Sequence, residues 1–220
     1  MRIVALFAGL ALLTAATSSP HAPARYLALG DSYTIGEGVS DSARWPVQLA
    51  RALRKAGADV ADPDIIARTG WTTDELDRAI TERNVTGPYA LVTLLIGVNN
   101  QYRGRSVDEY RPQFAALLKR AIGFAGGSAA RVIVVSIPDW GVTPFNKNRD
   151  KATVAREIDG FNAAALQICR AEGVTYVDIT DLTRAEPAAV VADGLHPSEA
   201  MYARWVQRLV PPARAILQTR

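Results

Sequence analysis

Ser32 is the side chain of this sequence best placed to act as a nucleophile. It lies in the segment Gly-Asp-Ser-Tyr at residues 30–33, directly after the apolar run at residues 26–29. The pattern predicts a short strand that ends in a tight turn, with the Ser32 hydroxyl at the edge where open α/β sheets bind their ligands. A serine attacks an acyl carbonyl effectively only when a base accepts its proton and donors stabilise the resulting oxyanion.

His196 is the predicted base, because it is the one histidine outside a predicted leader at residues 1–24. Asp193 lies three residues earlier on a glycine-containing loop, so a single tight loop can present a carboxylate and an imidazole together. That carboxylate would fix the tautomer of the ring and stabilise its protonated form. We expect Pro197 to lie in the first turn of the last helix and to hold the loop in place. Taken alone, the pattern also fits a surface histidine beside a helix-capping aspartate.

Three groups are candidates for an oxyanion hole. They are the backbone N–H of Ser32, the backbone N–H of Gly70 and the side-chain amide of Asn99. Gly70 follows a predicted strand, where glycine permits a positive φ angle or a close backbone approach. The alternative is that Gly70 merely ends a strand and that Asn99 belongs to an ordinary turn.

The elements that must position these groups alternate along the chain. Nearly continuous apolar runs, such as residues 91–96 and 132–135, are typical of strands that are buried on both faces of a parallel sheet. The predicted strands are residues 26–29, 64–67, 90–96, 131–137 and 174–179, and the predicted helices are residues 46–55, 73–80, 107–124, 152–172 and 198–217. This order predicts a single α/β domain, a three-layer α/β/α sandwich with about five parallel strands.

Four short segments in this order closely resemble those of the SGNH/GDSL hydrolase family. The segment at residues 30–32 matches the first family block, Gly70 the second, the Gly-Val-Asn-Asn segment at residues 97–100 the third, and the Asp-Gly-Leu-His segment at residues 193–196 the last. The resemblance implies a flavodoxin-like sandwich and a Ser-His-Asp hydrolase without a metal. It also implies an oxyanion hole formed by Ser32, Gly70 and Asn99.

Two residues depart from the family pattern. Tyr33 replaces the leucine of the name GDSL, outside the catalytic roles, and Asn100 replaces the commoner aspartate after the oxyanion asparagine. The second change concerns hydrogen bonding within the loop rather than the reaction. No Gly-x-Ser-x-Gly elbow is present, since Thr34 follows Tyr33, which argues against an ordinary α/β-hydrolase.

Aromatic residues near the same edge are candidates for a substrate pocket. Trp140 and Phe145 lie after the fourth predicted strand, in a segment that would line the pocket or pack on itself at the surface, and Trp71 adjoins Gly70. No large lid insertion is evident, which favours small or soluble esters over bulk lipid.

Composition excludes several other classes of function. The 220 residues carry a net charge of +3, and no run of five Lys or Arg residues indicates nucleic-acid binding. The single cysteine, Cys169, excludes an internal disulfide, and its apolar helical surroundings predict a buried core residue. With one histidine outside the leader and no ligand cluster, we expect neither a metal site nor a cofactor.

The first 24 residues have the features of a secretory signal. One positive charge at Arg2 precedes an apolar stretch at residues 3–13, and small residues offer cleavage sites near residues 14–16 and 22–24. The apolar stretch is short for a membrane span, although an uncleaved anchor is the alternative. We therefore expect an exported protein whose hydrolase domain comprises residues 25–220.

These observations predict an exported serine esterase that works through an acyl-enzyme on Ser32. Its expected partner is a small ester, such as a short acyl ester, an acetylated glycan or a lysolipid. Acyl transfer and lysophospholipase or thioesterase activity would use the same site. A non-catalytic module for glycan or lipid binding would require a broken catalytic position, and the sequence has none.

Overall fold

One parallel sheet forms the centre of the molecule. The computed structural model describes residues 22–218, so the predicted leader lies outside the described residues except for its last three. Five strands pair in the order β2-β1-β3-β4-β5, and every pairing is parallel. The strands are β1 (Tyr26–Gly30), β2 (Asp64–Ala67), β3 (Leu91–Leu95), β4 (Val132–Val135) and β5 (Thr175–Val177). The predicted α/β/α sandwich with five parallel strands is therefore confirmed.

Helices cover the sheet in two sets. The helices are α1 (Ser32–Ile35), α2 (Trp45–Lys55), α3 (Thr73–Glu82), α4 (Val98–Tyr102), α5 (Val107–Phe124), α6 (Lys151–Glu172), α7 (Thr180–Ala185) and α8 (Glu199–Gln218). Helix α2 packs with α8, whereas α5 packs with both α3 and α6. Every residue of β1, β3 and β4 is buried, which explains why these strands are nearly continuous apolar runs. Within residues 22–218, no helix combines the length and the apolar character needed to cross a bilayer.

The strand order places the ends of β1 and β3 side by side. The chain leaves β1 to form β2 on one side of it, and then returns to form β3 on the other side. Such a reversal opens a crevice at the carboxyl ends of the two strands, where ligands of this architecture bind. Ser32 follows β1 and Asn99 follows β3, so both residues lie at this crevice.

Two features differ from the sequence-based expectation. Helices α1, α4 and α7 were not predicted, because elements of four to six residues are too short to show a helical period. The placement of Pro197 in the first turn of the last helix was wrong, since α8 begins at Glu199. Pro197 instead forms an isolated antiparallel bridge with Val190.

Candidate active site

Ser32 is the first residue of α1, immediately after β1. Asp31 caps this helix, because its Oδ1 accepts a hydrogen bond from the Tyr33 backbone N–H at 3.0 Å. Glycine is required at position 30, since a Cβ there would lie 2.1 Å from Thr34 Oγ1 and 2.6 Å from the Leu95 carbonyl oxygen. The turn is therefore closely packed, and Ser32 is 5% exposed.

His196 and Asp193 form a hydrogen-bonded pair on one loop. His196 Nδ1 lies 2.6 Å from Asp193 Oδ2, and Asp193 Oδ1 accepts from the backbone N–H groups of Leu195 at 2.7 Å and His196 at 3.0 Å. Partial burial acts to raise the pKa of Asp193, but these hydrogen bonds outweigh it, so the pKa lies below its ordinary value. The carboxylate therefore stays ionised at neutral pH beside the imidazole.

Contacts from two other segments fix the position of the His196 loop. Within the loop itself, the His196 carbonyl accepts from the Val191 N–H at 2.8 Å; from the segment after β4, the Phe145 N–H donates to the Gly194 carbonyl at 2.9 Å. The Tyr33 and His196 rings have their centroids 5.5 Å apart, so the residue after Ser32 packs against the imidazole. This packing brings Ser32 and His196 to the same cavity, although 164 positions separate them in the chain.

The two candidate oxyanion segments, around Gly70 and Asn99, contact each other directly. Gly70 follows β2 with a φ of +87°, a conformation that favours glycine. Asn99 Nδ2 donates to the Trp71 carbonyl at 3.0 Å, which occupies one of the two N–H donors of that amide. Arg103 Nη2 donates to the Gly70 carbonyl at 2.6 Å. Asn99 of α4 and Arg103, the residue directly after α4, therefore hold the turn after β2 through the Trp71 and Gly70 carbonyls.

The cavity at this edge has a volume of about 120 Å³. Its polar side chains come from Ser32, Asn99 and His196, while its apolar wall consists of Tyr33, Val98, Tyr102, Trp140, Phe145 and Leu195. Of the predicted pocket residues, Trp140 and Phe145 thus line the cavity. Trp71 does not, because its side chain is half-buried and packs against the core.

Tyr102 lines the cavity, although the sequence did not indicate it as a candidate. Tyr102 was not among the candidates, yet it is 49% exposed and its ring lies 5.1 Å from that of Trp140. An aromatic residue three positions after Asn99 was the available signal. Neither Asp193 nor Gly70 lines the cavity. Asp193 lies behind His196, to whose Nδ1 it is hydrogen-bonded.

Asp31 is a buried acid next to the candidate nucleophile. Its side chain is fully buried, and its Oδ2 has no hydrogen-bond partner within residues 22–218. Burial raises the pKa of Asp31 to about 7, an effect that the hydrogen bond from the Tyr33 N–H only partly offsets. The residue that shapes the Ser32 turn therefore titrates near neutral pH.

Asn100, the departure from the family pattern, joins α4 to the start of α3. Its Oδ1 accepts from the Thr73 N–H at 3.1 Å, and its Nδ2 donates to Thr73 Oγ1 at 2.7 Å. The loop bonding that the sequence left open is thus satisfied by the amide. Across the part of the chain that the structure describes, no cluster of three His, Cys, Asp or Glu residues could hold a metal ion.

Comparison with known proteins gives one family and many similar folds. The model of the GDSL-like Lipase/Acylhydrolase family matches residues 28–204 of the chain. No curated protein sequence matches this chain.

Solved structures share the fold at low sequence identity. TesA is 19% identical with a TM-score of 0.67, and the match covers 87% of this chain and 99% of that one. Axe2, an acetylxylan esterase from Geobacillus stearothermophilus, is 18% identical with a TM-score of 0.66, covering 86% and 94% of the two chains. Phospholipase A1 from Streptomyces albidoflavus NA297 is 17% identical with a TM-score of 0.63, covering 88% and 99%.

Proposed function

The chain belongs to the GDSL-like lipase/acylhydrolase family, and from that membership we propose that it hydrolyses carboxylic esters through an acyl-enzyme on Ser32. His196 serves as the base and Asp193 orients it. The observation that carries the proposal is the 2.6 Å contact between His196 Nδ1 and Asp193 Oδ2, on a loop whose imidazole lines the same cavity as Ser32.

The path of the Ser32 proton depends on which ring nitrogen of His196 is already hydrogen-bonded. Because Nδ1 of His196 is engaged by Asp193, Nε2 is the nitrogen left to accept the Ser32 proton. Ser32 Oγ attacks the ester carbonyl, and the protonated Nε2 then gives its proton to the leaving alcohol. A water molecule, deprotonated by the same nitrogen, releases the acid and restores Ser32.

Oxyanion stabilisation uses the donors around Gly70 and Asn99. The second N–H of the Asn99 amide, which the Trp71 carbonyl does not occupy, is available to the tetrahedral intermediate. The backbone N–H groups of Ser32 and Gly70 complete the set. The hydrogen bond from Arg103 to the Gly70 carbonyl supports this geometry by holding the turn against α4.

Export of the enzyme is part of the proposal. The charge at Arg2 and the apolar residues 3–13 support a secretory leader. Ala24 is 2% exposed; its N–H donates to the Asp59 carbonyl at 2.8 Å and its carbonyl accepts from the Ala61 N–H at 2.9 Å. These contacts favour a mature chain that keeps Ala24, and so the earlier of the two cleavage regions.

Replacement of the nucleophile tests the mechanism. We expect Ser32→Ala to lower kcat for 4-nitrophenyl acetate by at least about 10³-fold, because the acyl-enzyme can no longer form. A fluorophosphonate should label the unsubstituted enzyme on the peptide that contains Ser32, as mass spectrometry would detect. The exposed Ser42→Ala is the matched control and should keep both activity and labelling. Full esterase activity in Ser32→Ala would refute the mechanism.

A further inference from the structure

A second cavity lies next to the catalytic one and shares its aromatic wall. Tyr102, Trp140 and Phe145 line both spaces, and the second has a volume of about 420 Å³. The far side of the second cavity is formed by residues 146–149, Asn-Lys-Asn-Arg. A substrate that extends out of the catalytic cavity along these rings would enter this space.

Hydrogen bonds and ring contacts hold the shared wall in place. Trp140 is 3% exposed, and its indole Nε1 donates to Gln101 Oε1 at 2.7 Å. The Phe145 ring lies 6.1 Å from that of Trp140 and 6.3 Å from that of Tyr102. Tyr102 and Phe145 are the exposed large apolar side chains of residues 22–218, and both face these cavities. Exposed aromatic surface of this kind indicates a binding role.

The second cavity is cationic. Its lining includes Lys147 and Arg149 but no carboxylate. Arg149 pairs with Glu157 at 2.9 Å and lies 5.5 Å above the Trp140 ring, while Glu157 lines neither of the two cavities. Lys147 is exposed and has no ion-pair partner among the described residues. An anion in this cavity would therefore meet the unpaired ammonium group of Lys147, beside the ion-paired guanidinium group of Arg149.

The reaction geometry indicates which part of an ester reaches this cavity. The leaving alcohol receives its proton from His196, so it lies on the side of the His196 loop. That loop contacts the aromatic segment, because the Phe145 N–H donates to the Gly194 carbonyl at 2.9 Å. An alcohol leaving on that side would pass Phe145, which lines both the catalytic cavity and the second one.

We propose that the substrate is an ester whose alcohol portion carries an anionic group, and that Lys147 and Arg149 bind this group. The spacer between the ester and the anion lies across Tyr102 and Phe145. This assignment rests on the proposed function and adds the substrate class to it. The anionic group is a carboxylate or a phosphate, since both accept hydrogen bonds from the ammonium group of Lys and the guanidinium group of Arg.

Three acetyl esters with the same spacer test the proposal on the enzyme without its leader. They are 6-acetoxyhexanoate, 5-acetoxypentyl phosphate and the neutral 6-acetoxyhexanamide, each with five methylene groups after the ester oxygen, and acetate release gives kcat/KM for each. At low ionic strength we expect one or both anionic esters to exceed the amide about fivefold, and the ratio to approach one near 1 M salt. The preferred anion identifies the group that the cavity binds.

Charge reversal at Lys147 gives the decisive comparison. We expect Lys147→Glu to lower the anionic-to-neutral ratio below one, whereas Lys119→Glu should leave the ratio unchanged. Lys119 is exposed on α5 and lines neither cavity, so it controls for the change in net charge. If the anionic-to-neutral ratio is the same in the unsubstituted enzyme, Lys147→Glu and Lys119→Glu, and turnover still depends on Ser32, the substrate assignment alone is overturned. Turnover independent of Ser32 would overturn the proposed function as well.

Discussion

At the residue scale, the candidate site places two carboxylates in opposite environments. Asp193 accepts three hydrogen bonds on a partly exposed loop, and its pKa lies below the ordinary value. Asp31 is fully buried with one unpartnered oxygen, and its pKa is raised to about 7. The first is suited to hold a cationic imidazole. The second shapes the Ser32 turn at a cost in stability whenever it is ionised.

Asp31→Asn should remove a pH dependence of folding. Because the folded pKa of about 7 exceeds the ordinary 3.8, the folded state binds the proton more tightly. The contribution of Asp31 to stability is therefore fully present below about pH 4 and is lost as the pH rises toward 7. Relative to the unsubstituted enzyme, Asp31→Asn should gain free energy of unfolding across this window, as urea titrations at pH 5 and 8 would measure. An equal gain at both pH values, or the same change in the exposed control Asp59→Asn, would contradict this.

At the element scale, α4 organises the side of the site that carries the candidate oxyanion donors. This short helix carries Asn99, whose amide donates to the Trp71 carbonyl, and it ends beside Arg103, which donates to the Gly70 carbonyl. Asn100 ties the same helix to Thr73 at the start of α3. Helix α4 also carries Tyr102 of the aromatic wall. A small displacement of α4 would therefore disturb the candidate oxyanion donors and the aromatic wall together.

Gly97→Ala should produce such a displacement. Gly97 precedes α4 with a φ of +132°, and a Cβ there would lie 2.9 Å from the Tyr110 ring, which is buried. We expect kcat for 4-nitrophenyl acetate to fall by about 10²-fold, because Asn99 moves relative to the reacting carbonyl. Gly104→Ala is the matched control: its φ is +73°, but nothing lies within 4 Å of the added Cβ. Equal losses of kcat in both variants would assign the effect to backbone strain rather than to the contact with Tyr110.

At the scale of the whole molecule, one reversal in the strand order and two loops build the site. The switch between β1 and β3 brings Ser32 beside Asn99, and the segments after β4 and before α8 cover the crevice with Trp140 and His196. The longest connection between the helices and strands of residues 22–218 is the 15-residue segment after β4, which carries Trp140 and Phe145 of the wall shared by both cavities.

Acyl-chain preference follows from this architecture. The catalytic cavity of about 120 Å³ has room for a short acyl group, and a long chain would leave most of its apolar surface in water. We expect kcat/KM to be higher for 4-nitrophenyl acetate and butyrate than for the palmitate ester, measured below the aggregation concentration of the long-chain ester. A strong preference for palmitate would contradict this account of the cavity.

The sequence by itself determined the buried strands, the long helices and the four short segments that carry the candidate chemistry. A buried strand appears in the sequence as an apolar run, and a helix of ten residues or more appears as a helical spacing of apolar residues. Both elements can therefore be predicted from a short stretch of sequence. The tight turn at Ser32 and the Asp193–His196 spacing are local as well. The matching family model extends over residues 28–204, consistent with the resemblance that those segments carry.

Only the tertiary structure decided which side chains meet. Tyr102, Trp140 and Phe145 form one wall although they come from α4 and from the segment after β4, and Trp71 packs against the core instead of joining them. Lys147 lies beside that wall because of the path of its loop. These contacts depend on strand order and loop conformation, which bring together residues far apart in the chain. A local sequence pattern does not encode which distant residues come into contact, and for this reason the two cavities could be identified only from the fold.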